Sequence, residues 1–400
     1  MRRSTDHIIT SHAGTLPLPD DLQQLRGGPG FGSQPADPDA FYRRLPEAVK
    51  EVVRRQAAIG IDVVNDGEYG KIGGFSNYVR SRLEGLVQRD ERPPARNITA
   101  REAKDFPRFT ASGRGGFGRQ MALAAAGPQA SGQGAAAGGV NQPVFCTGAL
   151  KYVGQAQAQI DIDNLRAAVQ GLDVEPYLPA IAPGTIEHWL WNEHYPNDEA
   201  FLFAIADAMH EEYRLITDAG IVLQIDDPDL PDGWQIYPDM SVADYQKYAE
   251  LRVEAINRAL RGIPEELVRL HICWGSGHGP HKNDIPLRDI VDVVFKVKAE
   301  CFSIEASNPR HDWEWTVFET FKLPAGKSLM PGVIGHVSDL IEHPELVAQR
   351  LVRYAKLVGR ENVIAGTDCG IGSRVGHGEI AWAKLEAMVE GARIATKQLW

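Results

Sequence analysis

Residues 202–226, LFAIADAMHEEYRLITDAGIVLQID, contain in one stretch the unit from which the fold is read. Leu202, Ile205, Met209, Tyr213 and Ile216 recur at three- and four-residue spacing, which is the stripe of an amphipathic helix. Gly220 stops it, because glycine tolerates the left-handed backbone that closes a helix. Ile221–Asp226 is then an apolar run too short for another helix and reads as a buried strand. Upstream the same order recurs. Pro46 is read at the first helical position, Val49, Val52, Val53 and Ala57 form the stripe up to Gly60, and Ile61–Asp66 is the strand. Downstream, Ser241 and Asp244 resemble a capping box before Leu251, Val253, Ile256 and Leu260, with Gly262 closing the helix.

Repeated helix–strand alternation implies parallel strands joined by crossover helices. Eight strands are expected, at Ile8–Gly14, Ile61–Asp66, Pro176–Pro183, Ile221–Asp226, Val268–Cys273, Cys301–Glu305, Ser328–Ile334 and Asn362–Asp368. Eight favours a closed (β/α)₈ TIM barrel over an open sheet. The reading is α/β, one catalytic domain over residues 1–400, with neither an internal repeat nor a linker. A ninth strand candidate, Pro143–Thr147, is placed outside the barrel. It is expected to pair with an excursion over about 90–140, rich in Gly and Ala and without a helical stripe, which reads as an inserted hairpin or mobile loop.

The chain has 42 Lys+Arg against 53 Asp+Glu, a formal net charge of −11, and shows no basic cluster, so a nucleic-acid partner is not expected. No apolar run reaches the roughly 20 residues of a membrane span, and the start MRRSTDH has no apolar segment behind it. A cytoplasmic location is the default expectation, with the oligomeric state, a homo-oligomer included, left open. Four cysteines, Cys146, Cys273, Cys301 and Cys369, are too few for a disulfide scaffold in 400 residues. Each is then a buried apolar side chain or a thiolate ligand.

His271-Ile272-Cys273 ends a strand, and residues two apart on a strand project to one face. Glu305 and Cys369 end two later strands. Two thiols, an imidazole and a carboxylate from three strand ends could surround a metal tetrahedrally, and that donor set selects zinc over magnesium or calcium. Taken singly, each of these residues reads as core; taken as a set at strand ends, they read as a metal site. Thr15, Asp66, Glu68, Trp189, Asp226, Asp227 and His336 follow other strands, on the face where such barrels carry their active sites. Cys146 and Cys301 show no partner pattern and are expected to be buried. His278 and His281, in a Gly-rich loop, are expected to face solvent rather than to bind metal. Asn308–Trp313 is read as shaping the pocket or supporting it from behind.

The motifs HAGTLP (12–17), NDGE (65–68), APGTIEHW (182–189), QIDDP (224–228), HIC (271–273), SIEAS (303–307), PGVIGH (331–336) and DCG–SR (368–374) resemble, in order and spacing, the catalytic barrel of cobalamin-independent methionine synthases. Short relatives also resemble epoxyalkane:coenzyme M transferases. The resemblance implies zinc held by His271, Cys273, Glu305 and Cys369. It places Glu68 and Asp226 at the homocysteine amino group, Thr15 near its carboxylate, His336 as the acid beside the methyl donor and Trp189 under a pterin. It departs at Thr15, where the synthases carry Ser, at Asp227, where they carry Glu, and at Gly70-Lys71-Ile72, where an Arg-Asn pair follows their GE motif. The amino-terminal barrel of the long enzymes has no counterpart. The function expected is a zinc-dependent thiol alkyltransferase, moving a methyl group from a folate-type donor to homocysteine. The alternatives are a coenzyme-M-like thiol with an epoxide or methoxylated donor, and a zinc-stabilised binding barrel without chemistry.

Overall fold

The computed structural model describes residues 1–27, 34–75, 77–91, 99–111, 143–277, 279–372 and 374–400. Eight strands form one sheet: β1 (Ile9–Thr10), β2 (Val63–Val64), β3 (Glu175–Ile181), β4 (Val222–Asp226), β5 (Val268–Ile272), β6 (Cys301–Ile304), β7 (Ser328–Ile334) and β8 (Ile364–Thr367). All neighbours are parallel, in the order β1-β8-β7-β6-β5-β4-β3-β2. The two ends of that order meet. Asp62 N–H donates to Thr10 O at 3.2 Å, and Ser11 Oγ donates to Val63 O at 3.0 Å. The sheet is therefore a nearly closed barrel with helices outside it, the α/β fold the alternation implies.

Local chemistry accounts for several helix ends. Asn197 Oδ1 caps the helix Asp198–Asp218 by accepting from Ala200 N, and Gly220 follows it at φ 75°. Ser241 Oγ caps Val242–Ala259 by accepting from Asp244 N at 3.2 Å. One start differs from expectation. The helix before β2 runs Pro38–Ile59, with Asp37 as its cap and Pro38 in the first turn, so Pro46 lies inside it. A proline in the first turn forgoes no hydrogen bond, which makes Pro38 the better start. The apolar stripe around Val49 carries no information about how far the helix extends upstream.

The ninth strand, Val144–Tyr152, lies outside the barrel, but its partners are not those expected. It pairs antiparallel with Leu83–Gln88 and parallel with Leu190–Asn192, in a separate three-stranded sheet. Gly85, at φ 93°, sits at the irregularity in that ladder, where an added Cβ would lie 2.8 Å from Ala149 O. Of the 90–140 excursion, residues 92–98 and 112–140 lie outside the described residues. Its described part forms two short helices, Ala100–Asp105 and Pro107–Ala111, rather than a hairpin. Helices of one or two turns are too short to show a stripe. Arg101 docks them, donating to the carbonyls of Trp234 (2.6 Å), Tyr237 (2.7 Å) and Met240 (2.8 Å) over the Trp234 ring.

Candidate metal centre at the carboxyl end of the barrel

His271 is the fourth residue of β5, and Cys273 is the first beyond it, so strand alternation turns both inward at the barrel's carboxyl end. Cys369 follows β8. One ligand atom from each of His271, Cys273 and Cys369 falls within 4.8 Å of the others. His271 Nδ1 lies 2.9 Å from Ser303 Oγ, its partner across the β5–β6 register, while Nε2 is buried without a hydrogen-bond partner. A buried ring nitrogen left unpaired costs free energy unless something fills its lone pair. Beside two thiols, the group that fits is a metal ion, with Ser303 orienting the ring from behind.

The two sulfurs titrate as a pair. The hydrogen bond between them, together with burial, pushes the Cys273 thiol far up, and the same bond pulls Cys369 far below the usual thiol range. Thiols bind a soft cation as thiolates, so metal binding at this pair would release protons.

Glu305 falls in an adjoining group, its ligand atom within 4.8 Å of those of His336 and Asp368. Burial, with Asp368 nearby, pushes its carboxyl up to about 8. The groups meet at Ser276, whose hydroxyl lies 3.0 Å from His336 Nε2 and 3.8 Å from Cys369 Sγ. His336 Nδ1 is buried and unpartnered, and burial lowers this imidazole's pKa.

Next to the segment that follows Cys369, Thr15 Oγ1 donates to Glu68 Oε1 at 3.0 Å, and Lys71 Nζ stands 3.3 Å from Glu68 Oε2. Lys71 also donates to Pro179 O at 2.6 Å and lies over the Tyr78 ring. Glu68 holds φ 62°, a left-handed backbone rare for a residue with a Cβ, and Gly14 makes room for it: a Cβ there would stand 2.4 Å from Glu68 Oε1. Asp226 accepts from Gln224 Nε2 at 2.6 Å, and burial raises it to about 7. Asp66 rises to about 7 from burial and the nearby Asp161. Asp227 is bonded to Thr185 Oγ1 at 2.9 Å, and its other oxygen is unpartnered.

Trp189 is half-buried at the end of the helix Pro183–His188, donating its backbone N–H to Ile186 O. His278 lies outside the described residues. His281 is partly exposed, and both its ring nitrogens are engaged: Nδ1 is 2.8 Å from Asp284, and Nε2 is 3.0 Å from Gly277 O. Cys146 and Cys301 are buried away from the centre. Sequence reading missed Ser303, Ser276 and the buried cation of Lys71. Ser303 carried a signal, since SIE and HIC lie on consecutive strands. Lys71 showed only as a departure from a motif.

The catalytic-domain model of the cobalamin-independent synthase family matches residues 167–394, more than half of the chain. The chain belongs to that family. Within it, the chain is 29% identical over 394 residues to a methionine synthase of Thermococcus kodakarensis, covering 98% of this chain and 94% of the relative. It is also 29% identical over 241 residues to a methionine synthase of Saccharolobus islandicus, covering 59% of this chain and 60% of the relative. The solved B12-independent methionine synthase from Shewanella sp. W3-18-1, in complex with selenomethionine, superposes with TM-score 0.70 at 20% identity, covering 98% of this chain and 99% of that one. At that identity the likeness is one of fold. Among the described residues, no helix is long and apolar enough to cross a membrane.

Proposed function

We propose that the chain is a zinc-dependent S-methyltransferase that takes homocysteine to methionine. The observation that carries this reading is the unpartnered, buried His271 Nε2 beside Cys273 and Cys369. Family membership and the named function of its relatives support it. His271, Cys273 and Cys369 hold the metal, and Glu305 is the fourth ligand. A zinc ion held by these residues would lower the pKa of a substrate thiol, so that the thiol would bind as a thiolate at neutral pH.

The chain's own residues do the rest. Asp226, lifted by burial although His271 and Lys71 pull the other way, receives the substrate ammonium, which restores its charge. Glu68 stands behind it, and Thr15 lies at the carboxylate end. Trp189 offers a flat apolar surface to the donor, taken here as a methyl-folate. His336, whose pKa burial lowers, acts as the acid by relay: its unpartnered Nδ1–H hands a proton to the leaving atom while the Ser276 hydroxyl, 3.0 Å from Nε2, replaces it. The residues around the barrel's carboxyl end orient the sulfur for in-line attack, which supplies much of the rate.

One observation favours a second thiol class. Lys71 occupies one oxygen of Glu68 and Thr15 the other, so Glu68 is already satisfied and offers no free oxygen to an ammonium. A thiol without an amino-acid head group, with an epoxide or a methoxylated donor, fits that wall. Incubating zinc-loaded protein with a panel of thiols and donors, with product mass as readout, separates the two. Methionine formed from homocysteine supports the first reading, and alkylation of other thiols alone supports the second. Purified protein without stoichiometric zinc sinks both.

A further inference from the structure

The Glu305 carboxylate is held at both oxygens by donors that have little freedom of their own. Trp274 N–H donates to Oε2 at 2.8 Å, and Asn308 Nδ2 donates to Oε1. Asn308 Oδ1 accepts the backbone N–H groups of Arg310 (2.8 Å) and His311 (3.2 Å), so the amide has one orientation, nitrogen towards Glu305. The backbone beyond Glu305 is clamped too. Asp368 Oδ1 accepts from Ala306 N and Ser307 N, both at 2.8 Å, and Oδ2 accepts from Ser307 Oγ at 2.6 Å.

Trp274 is fixed from behind. Its indole N–H donates to Ile285 O at 2.7 Å, and its ring stacks on His311 at 4.1 Å. His311 has a carboxylate on each ring nitrogen, Glu314 at 3.0 Å and Asp284 at 3.1 Å, so both nitrogens donate and the ring is an imidazolium. Asn308 and His311 thus belong to one turn that serves both sides of Glu305.

We propose that Asn308 is a positioning residue for Glu305, forming with the Trp274 N–H a two-donor cradle that fixes the carboxylate beside the His271–Cys273–Cys369 group. The inference rests on the zinc reading above and deepens it. A ligand held in place before the metal arrives loses no side-chain freedom on binding, so the cradle contributes to metal affinity. An Asn in the same turn with no such role would leave that affinity unchanged.

The test is zinc affinity by chelator competition on the full chain, for wild type, Asn308→Ala, Asn308→Asp, Glu305→Gln and the double variant Asn308→Ala/Glu305→Gln. Expected is a ten- to hundred-fold weaker zinc affinity in Asn308→Ala, on the scale of losing a hydrogen-bond partner of a metal ligand. The effect vanishes in the Glu305→Gln background, because Asn308 acts through Glu305. Asn308→Asp, which keeps the Oδ1 bonds but turns an acceptor towards Glu305, weakens zinc at least as much, and it decides the matter if Asn308→Ala does not fold. Unchanged affinity in the variants, or additive losses in the double variant, overturns the inference while the zinc reading stands. Wild type that takes up no zinc overturns both.

Discussion

Arg269 and His271 lie two residues apart on β5 and point to the same side, yet their surroundings differ. Each guanidinium nitrogen of Arg269 is occupied: Nε by Gln224 Oε1 (2.7 Å), Nη1 by Ser11 Oγ (2.9 Å) and Nη2 by His12 O (3.0 Å), with the Tyr177 ring beneath it. One layer higher, His271 Nε2 has no partner, and His336 Nδ1 and Asp227 Oδ2 share that state. Burial is the same in both layers. A buried polar group that is satisfied within the fold is spent on stability, whereas one left unsatisfied is open to a ligand.

The largest expected effect breaks the upper layer alone. Cys273→Ser or Cys369→Ser should abolish stoichiometric zinc and lower activity by more than the roughly 100-fold that losing an outer partner of a ligand costs. The urea midpoint of the metal-free protein should hardly move. Retained zinc, measured by atomic absorption, would refute the assignment.

Arg269→Met should do the reverse. It strands the Gln224 and Ser11 acceptors, leaves His12 O with the Tyr177 hydroxyl alone, and should cost about 3–5 kcal/mol in urea unfolding, with zinc per folded molecule unchanged. A stable variant that loses zinc would make the two layers one unit.

A pH effect belongs to the lower layer too. His12 is buried, with Nε2 2.8 Å from Gln56 Oε1 and Nδ1 accepting from Gly14 N–H, and burial, with Arg269 adding to it, lowers its pKa from 6.5 to about 4. Its neutral form is the folded one. The unfolded chain therefore takes up a proton first, and stability is full above pH 6.5 and falls as pH drops towards 4, by up to about 3 kcal/mol. Comparing unfolding free energies at pH 7 and pH 4.5 for wild type and His12→Asn checks this; an equal drop in both would remove His12 as the cause.

The smallest effect sharpens the upper layer. Ser303→Ala frees the His271 ring to turn and should weaken zinc by about ten-fold, the low end for such partners. Titration against a chromogenic chelator would show it, and unchanged affinity would mean that the ring is fixed by packing.

Much of this was legible along the chain. Seven of the eight barrel strands fall within the stretches expected, and the other, Glu175–Ile181, begins one residue early, because alternating helix stripes and short apolar runs are local signals. His271 and Cys273 were visible as a pair because strand alternation is also local. The 99–111 helices were not, being too short for periodicity, nor were the partners of Val144–Tyr152, since an edge strand carries no mark of which distant strand it will meet. Glu305 could be picked out as a strand-end carboxylate, but its grouping with His336 and Asp368 could not.

The sequence by itself determined the order of elements, the parallel barrel and the end of it that carries the chemistry, since each follows from spacing within some 20 residues. Only the tertiary structure decided that Ser303 backs His271, that Lys71 sits against Glu68, that Asn308 faces Glu305 and that Arg269 is paired while His271 is not. Those relations depend on strand register and on which side chains meet after the barrel closes. No short-range pattern encodes them.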